Sequence, residues 1–157
     1  MVEPQGLVHG ALHVSFQRFA RPAGGWITDV PRSLGTLPVP ACGENFLLPI
    51  GDGEVFWIGL SLSPGAAPAA VRIVAERHDG VLLRSGDFFT PPSRWFAGFP
   101  DRHGLAVLDA TLAWLTICHE ATARIELAGW KTFADRTGTA APKALDPSAA
   151  YGSWRLP

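Results

Sequence analysis

Leu12-His13-Val14-Ser15-Phe16 alternates apolar and polar side chains. A strand points successive side chains to opposite faces, so Leu12, Val14 and Phe16 share one face, and His13, Ser15 and Gln17 share the other. The same period returns at Val55–Leu62, where Phe56, Ile58, Leu60 and Leu62 stand opposite Trp57, Gly59 and Ser61. It returns again at Ala70–Glu76, with Val71, Ile73 and Ala75 inward and Arg72 and Glu76 outward. Arg77-His78-Asp79-Gly80 supplies a turn, and Val81–Arg84 completes a predicted hairpin. A second hairpin is predicted from Phe46–Ile50 and Val55–Leu62 around Gly51-Asp52-Gly53.

Between these strands the chain is punctuated. Residues 20–45 contain Pro22, Gly24, Gly25, Pro31, Gly35, Pro38, Pro40 and Gly43, which cannot sustain a helix. They read as a long irregular excursion with one short strand, and loops of that length inside a domain often carry function. Asp87–Pro100 is aromatic and broken by Pro91, Pro92 and Gly98. Residues 105–130 admit two readings. Leu105, Leu108, Leu112, Leu115 and His119 have helical spacing, yet Thr, Ile and Val recur and neither arm has a helix cap. Two strands, near 105–117 and 121–130, are the favoured reading. Residues 137–157 read as an extended tail, pinned by Tyr151 and Trp154.

Composition narrows the function classes. The 157 residues are 47% hydrophobic and 17% charged, too apolar for general disorder. Thirteen basic and fourteen acidic side chains give a net charge of -1, without the clustering that nucleic-acid binding needs. The N-terminal residues lack a leader pattern, and Leu105–Cys118 is too short to cross a bilayer, so a cytoplasmic protein without a membrane partner is expected. Cys42 and Cys118 are expected to be free thiols.

Three ordered landmarks carry a resemblance. His13-Val-Ser-Phe-Gln-Arg-Phe19, Glu54-Val-Phe-Trp-Ile-Gly-Leu60 and Pro92-Ser-Arg-Trp-Phe-Ala-Gly-Phe99 resemble a bacterial β-rich module over roughly residues 12–130. The resemblance implies a strand order and no activity.

Reactive groups show no catalytic spacing. His9 and His13, read on one strand, would lie about 13 Å apart, too far to share an ion. Gly59-Leu-Ser-Leu-Ser63 lacks the second glycine of a hydrolase elbow, and Gly51-x-Gly53 lacks the rest of a phosphate loop. No catalytic residue, metal ligand or cofactor is assigned. The aromatic set is skewed, with six Trp and nine Phe against one Tyr. Trp57 and Trp114 are expected in the core, whereas Trp26, Trp95, Trp130 and Trp154 fall in loops or at strand ends. Arg94-Trp95-Phe96 is the most site-like cluster, because a guanidinium beside loop aromatics suits a planar or anionic ligand.

The expected protein is therefore an all-β antiparallel sandwich of jelly-roll character over residues 1–136, followed by the tail. Its expected role is a non-catalytic protein-interaction or assembly module contacting its partner through Trp26, Arg94, Trp95 and Phe99. The partner is another protein or a second copy; a saccharide stacked on loop tryptophans is the alternative, and an enzyme ranks below both.

Overall fold

The structure, a computed structural model, describes residues 6–140 and 142–143. Two sheets face each other. The first contains β1 (Leu7–His9), β2 (Leu12–Phe19), β6 (Val55–Leu62), β11 (Gly104–Asp109) and β10 (Gly98–Asp101) in that order, with β3 (Trp26–Ile27) on β11 and β9 (Ser93–Phe96) on β6. The second runs β4 (Ala41–Cys42), β5 (Asn45–Pro49), β13 (Ala121–Ala128), β12 (Leu112–His119), β7 (Ala69–Arg77) and β8 (Leu82–Thr90). The protein is an all-β sandwich.

Alternation sets which faces meet. Leu12 and Phe16 are fully buried, as are Phe56, Ile58, Ile73, Ala75, Leu115 and Ile125, and together they fill the space between the sheets. A second apolar cluster lies on the outer face of the first sheet. There Phe19, Val55, Trp57 and Ala97 are covered by Ile27 and Val30 from the excursion, with Trp95, Leu105 and Val107 at its margin. The excursion also lines up against β2. Leu37 N–H donates to the Phe16 carbonyl at 2.8 Å, and Arg18 N–H to the Gly35 carbonyl at 2.8 Å. Thus only the part of the 20–45 segment around Ile27 and Val30 covers the outer face; residues 34–37 run beside β2, Leu37 and Val39 enter the core between the sheets, and Ala41–Cys42 joins the second sheet.

Several expectations are corrected by strand pairing. The hairpin expected from Phe46–Ile50 and Val55–Leu62 does not form: β5 lies in the second sheet, β6 in the first, and Gly51-Asp52-Gly53 carries the chain across. A connection with turn chemistry does not encode which strand becomes its neighbour. The expected strand 105–117 is two strands in different sheets, folded at Ala110–Thr111. The sandwich is mixed, not wholly antiparallel, because β5 and β13 pair in parallel, Ile125 beside Phe46. Trp114 lies outside the core: its ring is half-buried on the outer face under the Arg124 guanidinium, 4.0 Å from the ring centre. His9 and His13 sit on two strands of the β1–β2 hairpin, with Val8 opposite His13, so the single-strand separation does not apply.

One helix, α1 (Trp130–Thr137), replaces the end of the expected 121–130 strand and the start of the tail. Phe133 is its buried anchor, against Leu47 and Ala128. Lys131 and Asp135 pair one turn apart at 2.6 Å, and Gly138 closes the helix in the left-handed conformation at φ 69°. Beyond it, the Lys143 carbonyl accepts a 2.7 Å hydrogen bond from Arg18. The expected anchors Tyr151 and Trp154 lie outside the described residues. No described helix is long and apolar enough to cross a membrane.

Candidate functional site

β9 and β10 form one nearly continuous segment that first borders β6 and then β11, with Ala97 at the step between them. At that step Gly98 packs so closely on β11 that a Cβ would meet the Ala106 carbonyl oxygen at 1.8 Å. Beside this step lies a cleft of about 420 Å³ between β8 and the β9–β10 segment. Ser85 and Phe88 come from β8, Arg94, Trp95 and Phe96 from β9, and Leu105 from β11.

Strand periodicity explains the lining. Phe96 faces the core and packs edge-on against Phe99 at 5.1 Å and parallel to Phe88 at 6.3 Å. Arg94, two residues earlier on the same face, passes beyond the packed core, and its guanidinium sits 4.5 Å above the Phe88 ring. It also donates to the Phe89 carbonyl at 3.1 Å. That cation–ring contact contributes on the order of 0.5–1 kcal/mol at an exposed site and holds the guanidinium at the cleft rim. Trp95 points to the other face, where it is half-buried against the outer cluster. Among the described residues Arg94 is the single charged side chain on the lining, so the cleft combines an apolar floor with a positive rim.

Of the four residues expected to make contact, the structure brings Arg94 and Trp95 to this cleft. Phe99 is 7% exposed and belongs to the core between the sheets. Trp26 is 40% exposed but lines a separate depression with Phe19, Pro22 and Asp29, its ring 4.5 Å from that of His103. Two exposed, coplanar rings at one place, as a stacked saccharide would require, are therefore not formed by Trp26 and Trp95. Phe88, Ser85 and Leu105 are the cleft residues that sequence reasoning missed. Each comes from another strand, and the signal present was only the density of aromatics in Asp87–Pro100.

The other candidates disperse. His13 Nε2 lies 3.2 Å from Ser63 Oγ, and His119 Nδ1 lies 3.1 Å from the Ala70 carbonyl. No group of three His, Cys, Asp or Glu placed to hold a metal occurs among the described residues. Cys42 and Cys118 are free. Arg136 Nη2 donates to Cys42 Sγ at 3.2 Å while the same guanidinium pairs with Glu126, and the Glu126 bond, then the thiol, raise the Arg136 pKa.

Comparison of the chain with protein-family models, with curated proteins and with solved structures gives no match, and the site is read from its own geometry.

Proposed function

We propose that the protein is a non-catalytic protein-interaction module, and that its contact site is the cleft between β8 and the β9–β10 segment. The observation that carries this reading is the cleft's composition: about 420 Å³ lined mainly by aromatic and aliphatic side chains, with Arg94 the one charged group among the described residues. A space of that size accepts one or two large side chains, and a guanidinium at its rim favours a carboxylate beside them. The partner class is thus a peptide segment carrying an aromatic or aliphatic residue next to Asp or Glu. Trp95 and Phe88 would supply apolar contact area, and Arg94 orientation and charge selectivity. The two free thiols suit a reducing, cytoplasmic setting.

The test is a peptide-display selection on the immobilised full chain, followed by calorimetric titration of the enriched peptide. Enriched sequences should pair an acidic residue with an aromatic or aliphatic one, and Arg94→Ala should weaken binding about tenfold, the scale of one charge-assisted hydrogen bond. Unbiased enrichment, or equal binding by Arg94→Ala and Trp95→Ala, would remove the cleft from consideration. A Trp95-dependent signal on a saccharide array would replace the peptide reading with the carbohydrate one.

A further inference from the structure

β8 is the edge of the second sheet. It is nine residues long and pairs with β7 on one side, and among the described residues no strand borders its other side. An open edge about 30 Å long is a template for pairing with another chain unless charge, proline or a covering segment blocks it. The outward side chains here are Leu82, Arg84, Asp87 and Phe89; Leu82 is 51% exposed and Phe89 69%.

A bulge creates that set. The register steps from Val74 opposite Arg84 to Arg72 opposite Asp87, so Ser85 and Gly86 together face Ile73, with Gly86 at φ 70°. In a regular strand Arg84 and Asp87, three residues apart, would occupy opposite faces; the extra residue puts both outside. Leu83 and Phe88, between them and the strand ends, turn inward and pack on the core. Outward, β8 therefore reads apolar, positive, negative, apolar.

We propose that β8 pairs antiparallel with β8 of a second copy of this chain across a two-fold axis between Ser85 and Gly86. The sequence of side chains is its own complement in this register. Arg84 stands opposite Asp87 of the second copy and Leu82 opposite Phe89, each twice, while Leu83 meets Phe88 on the inner side. A slip of two residues sets Arg84 against Phe89, or Leu82 against Asp87, and loses the match. Such an isologous contact closes on itself and forms a dimer rather than a filament.

The backbone agrees. Arg77 N–H donates to the Val81 carbonyl at 2.9 Å, so antiparallel alternation turns the backbone groups of Leu82 and Arg84 to the open side. Two of the facing groups already have partners. The two Asp87 carboxylate oxygens accept one bond each from Arg72, at 2.8 and 2.9 Å, and the Phe89 carbonyl accepts one from Arg94; each of the three oxygens keeps a lone pair for a second donor.

Sedimentation equilibrium of the full chain tests this. The expected mass at about 100 µM is twice 16.8 kDa. Arg84→Asp and Asp87→Arg should each run as monomers, because each homodimer then opposes like charges twice. Mixed one to one, they should recover the dimer, because the carboxylate introduced by Arg84→Asp then faces the guanidinium introduced by Asp87→Arg at one crossing, and the unsubstituted Asp87 faces the unsubstituted Arg84 at the other. Leu82→Lys, which leaves the Arg72–Asp87 pair in place, should also be monomeric by the same measurement and with an unchanged circular-dichroism spectrum. Leu82 stands outside the cleft, but the dimer sets Leu83 of the second copy beside Phe88 of the cleft, so the cleft is tested in the monomeric Leu82→Lys background, where Arg94→Ala should still weaken peptide binding; failure of the dimer and failure of the cleft reading then register separately. A wild-type mass of 16.8 kDa, or a dimer that neither charge swap nor Leu82→Lys weakens, overturns the proposal. So does a monomer whose β8 amides resist hydrogen exchange, which would show the edge covered by the chain's own tail.

Discussion

Arg18 and Glu54 meet at 2.7 Å at one end of the sandwich, with 8% and 9% of their surfaces exposed, and the same Arg18 nitrogen holds the carbonyl of Lys143 at 2.7 Å. Strand periodicity brings them there. Arg18 follows Leu12, Val14 and Phe16 on the inward face of β2, beyond the last apolar layer, and Glu54 immediately precedes β6, whose Phe56 is Arg18's cross-strand neighbour. A buried pair of this kind adds little net stability over an apolar replacement, yet losing one partner strands the other charge. Glu54→Ala should therefore cost about 3–5 kcal/mol in urea unfolding. The double change Arg18→Met with Glu54→Leu should recover most of that loss. Equal midpoints for Glu54→Ala and the wild type would show that the pair is not buried in solution.

The close approach of β10 to β11 gives a sharper steric test. A Cβ on Gly98 would lie 1.8 Å from the Ala106 carbonyl oxygen, and that neighbour is backbone held in a sheet. Gly98→Ala should cost about 3 kcal/mol, at the upper end of overpacking effects, and should distort the cleft that Gly98 lines. Both the urea midpoint and the affinity for the selected peptide should fall. A variant as stable as the wild type would mean that the two strands separate more easily than their pairing indicates.

Asp109 links three segments. Its carboxylate accepts from the Thr111 N–H at 2.9 Å and hydroxyl at 2.6 Å, within the turn from β11 to β12, and from Arg21 of the excursion at 2.9 Å. Burial acts to raise its pKa, but the hydrogen bonds from Thr111 and Arg21 together outweigh it and hold the carboxyl below its ordinary value of 3.8. A group depressed in the folded state stabilises the fold above its unfolded pKa and loses that contribution as pH falls through the folded one. Asp109→Asn should thus be less stable than the wild type at neutral pH, with the difference closing as pH drops below 3.8. Thermal or urea midpoints across that range check it; parallel curves would contradict the assignment.

The candidate site was only half legible in the chain. Arg94 and Trp95 stand out as a cation among loop aromatics, and both reach the cleft. Phe99 was indistinguishable from them by sequence, because Asp87–Pro100 looked like one aromatic loop when it is three strands. Once β10 pairs with β11, Phe99 turns inward and Pro100 outward. Helix α1 escaped notice for a related reason: it has no side-chain cap and one buried anchor, Phe133. Its local signals, Gly138 after the last turn and Lys131 four residues before Asp135, are weak without the sheet that Phe133 packs on.

Alternation along Leu12–Phe16, Val55–Leu62 and Ala70–Glu76 was sufficient to make strands and to say which side chains go inside, because side-chain direction is a property of the local backbone. Partner choice is not local. That β5 and β6 part into different sheets across Gly51-Asp52-Gly53, that Leu105–Ile117 divides between both sheets, and that β5 lies parallel to β13 are decided by contacts between residues far apart in the chain. Those contacts also place Phe88 beneath Arg94 and leave β8 at an edge. The tertiary structure alone assembled both surfaces proposed for binding.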